Sequence, residues 1–400
     1  AVMSSIRPIA FGVNYTPRAG WFHSWLDFDA DQTARDLDAI AALGMDHIRI
    51  FPLWPLLQPN RTLIRQSAID DVRRLVQLAH ERGMSTWVDV LQGHLSSFDF
   101  LPSWTVTWHH DDLFTSERIR SGQAALVNEL STQLADEPGT AGICIGNEFP
   151  QFAAARHPDH SRVDTDGARR WLTEIFGAVD RRCACVHCFD DDLWFDATHP
   201  FIPPFATQFG DLTTVHSWVF AHVGPRYGKR HPALEVFARY LVELACAWNR
   251  YCIVPDRGVW LQEVGAPITC VTAEDAADFA TATIRGVIDV PELTGITWWC
   301  SHDVSRKLAD FPELEYSLGL IDSDGKVKPV GRAVAEFAHA VRSGDNIGTA
   351  GADSAERPVL DVPADPALRH EAGPQGDVFD TFQRIWTRDH VWPQLRVNHA

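Results

Sequence analysis

The sequence predicts a (β/α)8 barrel, and three observations support that prediction. Short apolar, β-branched runs alternate with segments of helical periodicity along most of the 400 residues. The alternation yields eight strands over about 340 residues, which is the count of such a barrel. The competing fold is a doubly wound open sheet, which usually carries a glycine-rich phosphate loop when it binds a nucleotide. The chain contains no G-x-G-x-x-G, G-x-x-x-x-G-K-[ST], G-x-S-x-G or H-E-x-x-H motif.

Each strand is assigned to an apolar run, and a helix follows each strand except the fifth, after which the chain is irregular. The first two helices, Asp31–Leu43 and Ser67–Arg82, are followed by Gly44 and Gly83, which suit a left-handed C′ position. The predicted strands are Ile9–Tyr15, His47–Pro52, Ser85–Leu91, Ala141–Gly146, Ala184–Phe189, Thr213–Trp218, Gly258–Val264 and Thr294–Cys300. The other predicted helices are Glu117–Ala135, Thr165–Asp180, Pro232–Arg250, Ala273–Val287 and Gly331–Val341.

We expect a single catalytic domain over residues 1–342 and a C-terminal segment, 343–400, that packs on it. The segment starts with SGDNIGTAGADSAERP, a composition that favours disorder and predicts a flexible linker. It ends with VFDTFQRIWTRDHVWPQLRV, which has too many aromatic residues for a solvated tail. The long connection Gln92–Ser116 is also rich in aromatic residues, and we expect it to be ordered.

The amino-acid composition indicates which kinds of binding partner and which cellular compartment to expect for the protein. The 35 basic and 53 acidic residues leave a net charge of −18, whose field repels phosphate, so we expect neither nucleic acid nor membrane as partner. No run of about 18 apolar residues occurs. The start AVMSSIRPIAFG lacks the apolar core of a signal peptide, so we expect a cytoplasmic protein. In that compartment the eight cysteines predict free thiols.

Two clusters could suggest a metal, and neither is favoured as a metal site. Cys183, Cys185 and Cys188 fall in the fifth predicted strand, where alternation puts Cys188 on the other face from the first two, so core thiols are favoured. The acidic triplet Asp190-Asp191-Asp192 follows that strand. It is interpreted as a solvated loop, with a cation or sugar site as the alternative.

In a barrel of this kind the active site lies at the C-terminal ends of the strands, where this sequence repeatedly places polar groups. Two carboxylates stand out because each follows an apolar run: Glu148 after Ile143–Ile145, and Glu263 after Val259–Leu261. Two facing carboxyl groups, one protonated and one ionised, are what glycoside hydrolysis needs. Arg49, at the end of the second strand, could lower the pKa of the ionised carboxyl.

The order of these groups resembles the (β/α)8 glycosidases with catalytic glutamates on strands four and seven, and within them glycoside hydrolase family 5. The resemblance covers roughly residues 8–342. The stretches FGVNYTPRAGWFHSWLDFD, FPLWPLLQPNRTLIR, LQGHLSSFDFLPSW and ITWWCSHD are similar to subfamily 18, which is associated with β-mannosidases. The residues that carry the resemblance are Arg49, His94, Asn147, Glu148, His216, Glu263 and Trp299.

The resemblance implies a retaining enzyme with Glu148 as general acid/base, Glu263 as nucleophile and carboxyl groups about 5–5.5 Å apart. It implies that Asn147 binds the sugar 2-hydroxyl and Trp299 forms the floor for the glycone. The substrate is then a small oligosaccharide with a terminal β-1,4-linked mannose, as in the mannose–N-acetylglucosamine unit of N-glycan cores. We expect no cofactor and no metal. The oligomeric state is left open.

One position departs from the family pattern. Many family 5 members have His-x-Tyr on strand six, whereas this chain has His216-Ser217-Trp218, so Trp218 replaces the phenol that contacts the nucleophile. Tyr15 on strand one is a candidate substitute. Asp303, after strand eight, is a candidate sugar ligand, with a loop-stabilising ion pair as the alternative.

Three other functions stay open at this stage. The first is an endo-acting β-mannanase or β-glucanase of the same family. An exo enzyme needs one end of its cleft closed, which loop Gln92–Ser116 and the C-terminal segment could do; the alternative is that both only cover apolar barrel surface. A metal-dependent hydrolase would have to assemble His94, His216 and Asp303. A non-catalytic sugar-binding barrel is the third alternative, and the presence of both glutamates argues against it.

Overall fold

The computed structural model describes residues 9–109, 111–345, 347–349 and 356–399, and these form the predicted (β/α)8 barrel. The eight strands run parallel in one sheet, in the order β5-β4-β3-β2-β1-β8-β7-β6. They are β1 Ala10–Asn14, β2 His47–Ile50, β3 Ser85–Val90, β4 Thr140–Ile145, β5 Cys185–His187, β6 Thr213–Ser217, β7 Val259–Val264 and β8 Leu293–Trp298.

The barrel closes between β5 and β6 through a few hydrogen bonds rather than a regular ladder. The Asp211 amide donates to the Cys185 carbonyl at 2.8 Å. The Thr214 hydroxyl donates to the His187 carbonyl at 3.0 Å. This seam is sparse because β5 has only three residues, shorter than the predicted Ala184–Phe189.

The helices surround the barrel as predicted, with the fifth unit reduced to a short helix. They are α1 Ala30–Ala42, α2 Gln66–His80, α3 Glu117–Ala135, α4 Thr165–Gly177, α5 Pro203–Gln208, α6 Ala233–Tyr251, α7 Ala276–Val287 and α8 Pro329–Ser343. Asp29 and Ser116 cap the N-termini of α1 and α3 by accepting backbone N–H groups. Gly44 and Gly83 have φ values of +86° and +76°, which confirms their predicted left-handed conformation.

An aromatic layer fills the barrel interior beneath the strand ends. Trp87 of β3 and Trp260 of β7 lie with their ring centroids 4.9 Å apart. Gly142 of β4 makes room for this layer, since a Cβ there would lie 2.4 Å from the Trp87 ring. Polar groups at the strand ends therefore rest on a packed base rather than on a water-filled channel.

The C-terminal segment is more than a docked tail, because it forms its own β-α-β unit. Strands β9, Val359–Pro363, and β10, Gln394–Asn398, pair in parallel and are connected through α9, Asp377–Asp389. The unit packs on α6, where the Tyr240 hydroxyl donates to the Ala372 carbonyl at 2.5 Å.

This packing explains why α6 is buried on almost every face, between the barrel and the C-terminal unit. The last barrel helix ends at Ser343, so the predicted division at residue 342 falls in its last turn. Part of the predicted flexible linker, residues 346 and 350–355, lies outside the described residues. In the described part of the chain, no helix combines the length and apolar character needed to cross a membrane.

Candidate active site

The C-terminal ends of the strands surround a cavity of about 540 Å³, within the size range of small-molecule sites. Both glutamates line it, as do four other residues predicted for the site: His94, Asn147, Trp218 and Trp299. None of its lining residues belongs to the C-terminal β-α-β unit. The described residues of the C-terminal segment therefore do not line the cleft, whereas part of the loop Gln92–Ser116 does.

Glu148 reaches the cavity through a tight turn at the end of β4. Gly146 has a φ of +61°, and Glu148 itself adopts a left-handed conformation with φ +47° and ψ +32°. Its amide donates to the Cys188 carbonyl at 2.9 Å, which ties the turn to the end of β5. A left-handed non-glycine residue costs about 1 kcal/mol or more and is kept only where surrounding contacts enforce it.

Glu263 projects from β7, and both of its oxygens accept hydrogen bonds. Arg49 Nη1 donates to Oε1 at 2.9 Å, and Trp218 Nε1 donates to Oε2 at 2.9 Å. The guanidinium of Arg49 is fully buried and also forms a bidentate pair with Asp89, with distances of 3.1 and 2.8 Å. Arg49 thus fixes one carboxylate oxygen from behind the cavity and cannot touch a substrate.

His216 connects the two glutamates. Its Nδ1 lies 2.8 Å from Glu148 Oε1 and 3.4 Å from Glu263 Oε2, and its side chain is almost completely buried. It is the register partner of Glu263 across β6 and β7, directly after an irregularity in the ladder at Val215. Such irregularities re-aim side chains next to active sites.

The partners of His216 show that one proton lies between it and Glu148. Nε2 is 2.7 Å from Gln262 Oε1, an acceptor, so Nε2 carries a hydrogen. In a neutral imidazole Nδ1 is then an acceptor, and its 2.8 Å contact with Glu148 needs a proton on one of the two groups. The pair therefore shares one proton between His216 Nδ1 and Glu148 Oε1.

Charge and burial act together on the pKa values of these groups. Burial lowers the pKa of His216, but the negative charges of Glu263 and Glu148 outweigh this and raise it. Burial raises the pKa of Glu263, against the lowering effect of His216 and Arg49. At Glu148 the hydrogen bond with His216 outweighs burial, so the pKa of the carboxyl falls while the proton resides on the imidazole.

The spacing of the carboxyl groups suits a covalent mechanism. An oxygen of Glu148, an oxygen of Glu263 and a ring nitrogen of His216 all lie within 4.8 Å of one another. Retaining glycosidases hold their carboxyl groups about 5–5.5 Å apart, whereas inverting enzymes separate them by about 6.5–9.5 Å. One carboxylate can therefore attack the carbon whose leaving oxygen the other protonates.

Asn147 and Trp299 form the rest of the predicted inner site. Asn147 Oδ1 accepts from Arg49 Nη2 at 2.7 Å, and its amide nitrogen donates to the His94 carbonyl at 3.2 Å. These two bonds fix the orientation of the amide group. Trp299 packs between Trp21, Phe51 and Trp218, with centroid distances of 5.4–6.3 Å, and presents a flat apolar surface.

Two candidate residues take other roles. Asp303 does not line the cavity: it accepts from Lys328 Nζ at 2.9 Å and from the Gly319 amide at 2.8 Å. The sugar-ligand hypothesis for Asp303 is replaced by its alternative, a loop-stabilising ion pair. Tyr15 donates its hydroxyl to Asp36 at 2.7 Å, so Trp218 and not Tyr15 contacts the nucleophile candidate.

Several cavity residues were not predicted from the sequence as part of the site. On the Glu148 side, Gln151 donates to Glu148 Oε2 at 2.7 Å, and Arg156 joins the triplet Asp190–Asp192. The interpretation of this triplet as a solvated loop is wrong, because Asp190 and Asp192 are buried and line the cavity. Ser96 and Glu315, in the loops after β3 and β8, also line the cavity. The sequence signals for these residues were their position in loops after strand ends, the similarity of the stretch that contains Ser96 to subfamily 18, and the sugar-site alternative for the triplet.

The chain was compared with protein-family models and with curated proteins. No protein-family model matches the chain. A curated relative, β-galactosidase Bga of Halorubrum lacusprofundi, is 23% identical over 237 residues. That alignment covers 55% of this chain and only 30% of the relative's length.

Some solved structures have a much higher sequence identity to this chain than that relative has. A family 5, subfamily 18 glycoside hydrolase variant of Streptomyces cattleya, in complex with Manβ1-4GlcNAc, is 50% identical with a TM-score of 0.90, covering 97% of this chain and 94% of that one. The subfamily 18 protein of Bifidobacterium longum subsp. infantis is 43% identical with a TM-score of 0.91, covering 98% and 92%. The chain therefore belongs to glycoside hydrolase family 5, subfamily 18, a group of retaining enzymes.

Proposed function

We propose that this protein is a retaining exo-β-mannosidase that releases a terminal β-1,4-linked mannose, with Manβ1-4GlcNAc as its preferred substrate. The observation that supports the proposal is the cavity itself, in which an oxygen of Glu148 and an oxygen of Glu263 lie within 4.8 Å of each other and Trp299 is part of the lining. The similarity to the Streptomyces cattleya protein, whose complex contains Manβ1-4GlcNAc, supports the choice of sugar.

In the first step, Glu263 attacks the anomeric carbon and the bond to the leaving oxygen breaks. The hydrogen bonds from Arg49 and Trp218 stabilise the ionised carboxylate and fix its direction of attack. The proton held between His216 and Glu148 passes from Glu148 to the leaving oxygen. The products of this step are a mannosyl ester on Glu263 and the free aglycone.

In the second step, water enters on the side that the aglycone has left. Glu148, now ionised, takes a proton from this water, and the water oxygen attacks the anomeric carbon as the ester bond to Glu263 breaks. His216 shares the proton that Glu148 receives, which restores the starting state. Two inversions at the same carbon keep the β configuration of the released mannose.

The exo action is proposed from the asymmetry of the cavity. The aglycone lies beside Glu148, because that group protonates the leaving oxygen, and this side is lined by Gln151, Arg156 and the triplet Asp190–Asp192. On the other side, the loops after β3 and β8 meet through a hydrogen bond between Ser96 and Glu315 at 3.1 Å. We propose that this contact closes that end of the cleft, so that a single sugar binds beyond the cleaved bond.

Hydrolysis of 4-nitrophenyl β-mannoside, β-glucoside and β-galactoside tests the sugar preference, and mannohexaose tests the direction of action. We expect release from the mannoside, and mannose together with mannopentaose as the early products from mannohexaose. Equal rates on the glucoside would contradict the mannose preference, and early fragments of three or four sugars would indicate an endo enzyme. Binding of Manβ1-4GlcNAc without any turnover would favour the non-catalytic sugar-binding barrel.

Trp218→Phe tests the unusual contact to the nucleophile. The substitution keeps an aromatic ring but removes the N–H donor to Glu263, and hydrogen bonds to charged groups contribute enough to lower kcat/KM by about 10- to 100-fold. Loss of a donor to the ionised form also raises the pKa of Glu263. Since catalysis needs this carboxylate ionised, the acidic limb of the pH–rate profile moves to higher pH.

The matched control is Trp108→Phe, because Trp108 is a fully exposed tryptophan. We expect it to leave both kcat/KM and the pH profile unchanged. If Trp218→Phe keeps the parent's acidic limb, the indole contributes packing but does not stabilise the ionised nucleophile.

A further inference from the structure

Glu315 lines the cavity and is positioned by the packing of its neighbours in the loop after β8. It belongs to a short 3-10 helix, Glu313–Ser317, in the loop after β8. Its neighbours Leu314 and Tyr316 pack into the same apolar cluster as Trp299, the surface on which the terminal sugar is proposed to rest. The position of the Glu315 carboxyl therefore depends on the same apolar cluster that positions Trp299.

A second loop holds this carboxyl from the opposite side. Ser96, in the loop after β3, donates its hydroxyl to Glu315 Oε2 at 3.1 Å, across 219 positions of sequence. Ser96 and its neighbour Ser97 have φ values of +53° and +68°, a conformation that costs non-glycine residues free energy. Leu95 anchors this turn in the cluster that contains Trp299.

The other oxygen of Glu315 is available to a ligand. Among the described residues, no group donates a hydrogen bond to Oε1, and Glu315 lines the cavity together with Glu148 and Glu263. Burial raises the pKa of Glu315 to about 7, with the charges of Glu263 and Glu148 adding to this effect. A carboxyl in this setting gains from an O–H donor that replaces lost water.

We propose that Glu315, held by Ser96, binds a hydroxyl group of the terminal sugar on the side away from the cleaved bond, and so determines recognition of an unsubstituted chain end. The inference rests on the proposed function and adds a specificity residue to it. The chemical class recognised is a sugar ring with a free hydroxyl at position 3, 4 or 6. A substituent there would collide with the carboxyl and with the Ser96–Ser97 turn.

The alternative is that the Ser96–Glu315 bond only connects two loops. The two roles differ in their response to the substrate. If Glu315 binds a hydroxyl, deleting the carboxyl and deleting the hydroxyl remove the same interaction, so the two losses do not add. If Glu315 only connects loops, its removal lowers the activity on every substrate by the same factor.

The test uses Glu315→Ala, Glu315→Gln and Ser96→Ala with 4-nitrophenyl β-mannoside and its 3-, 4- and 6-deoxy analogues. For Glu315→Ala we expect kcat/KM on the full mannoside to fall by about 10- to 100-fold. For one deoxy analogue, we expect the kcat/KM of the parent to be lower than on the full mannoside by a similar factor. The kcat/KM of Glu315→Ala on that analogue should be little lower than its own value on the full mannoside. Glu315→Gln, which keeps an acceptor oxygen, retains part of the activity. Equal factors on all four substrates would overturn the proposal.

The matched control is Glu313→Gln, on the same 3-10 helix, because Glu313 is exposed and pairs with Arg306 on the surface. It should behave as the parent on all four substrates. A second measurement does not depend on turnover: calorimetric binding of Manβ1-4GlcNAc to Glu148→Gln and to Glu148→Gln combined with Glu315→Ala. We expect at least tenfold weaker binding for the double variant. Equal Kd values would overturn the role of Glu315, whereas binding without turnover in the parent would overturn the proposed function instead.

Discussion

Glu263→Ala should abolish turnover of 4-nitrophenyl β-mannoside, with kcat lower by on the order of 10⁴-fold or more. This carboxylate is the proposed nucleophile, with one oxygen bound by Arg49 and the other by Trp218. Without it the enzyme loses the two-step route, and water is poorly placed to attack from that face. Initial rates with the parent, the variant and an exposed-carboxylate control, Glu274→Ala, measure the effect.

Azide distinguishes a lost nucleophile from a damaged fold. In Glu263→Ala, the space of the carboxylate admits azide, which attacks the anomeric carbon from the same face. One displacement inverts the configuration, so we expect α-mannosyl azide, while Glu274→Ala behaves as the parent. If β-mannosyl azide or no azide product forms in a folded variant, Glu263 is not the nucleophile.

Glu148→Ala should impair the enzyme to a degree that depends on the leaving group. Manβ1-4GlcNAc has a poor leaving group that needs protonation, and general acid catalysis is worth about 10²–10⁴-fold, so kcat/KM on the disaccharide falls by that factor. A 2,4-dinitrophenyl mannoside leaves without a proton, so the covalent intermediate still forms. Pre-steady-state release of dinitrophenol followed by a slow phase would show this accumulation.

The same variant with azide should yield β-mannosyl azide. Azide needs no general base and enters where water would, on the side vacated by the aglycone, after Glu263 has already inverted the carbon once. Glu336→Ala, which removes an exposed glutamate, is the matched control and should show parental rates. An equal loss on both substrates would indicate that Glu148 acts by positioning and not as acid.

The opposite anomers expected from the two rescues make the two assignments independent. His216 couples the two glutamates, because its Nδ1 lies within 3.4 Å of an oxygen of each carboxyl group. The proton needed by Glu148 is the one that the His216–Glu148 pair retains under the negative charge of Glu263.

Much of the architecture could be predicted because it depends on local periodicity. Glu117–Ala135 was predicted to the residue, and the glycines after α1 and α2 adopt the expected conformation. Errors concentrated where strands become loops: Leu91, predicted as strand, turns to a φ of +61°. The fifth unit was irregular in sequence and has only a three-residue strand.

By itself the sequence determined the barrel and the pairing of Glu148 with Glu263, because parallel strands bring their C-terminal ends to one edge whatever the loops do. Tertiary structure alone decided which groups touch. The Asp303 carboxylate pairs with Lys328, and the Trp218 indole donates a hydrogen bond to Glu263. Ser96 donates to Glu315, which is 219 residues away in the sequence. These contacts depend on loop conformation and on the ladder irregularity before His216, which are set by packing between distant segments and leave no periodic trace in the chain.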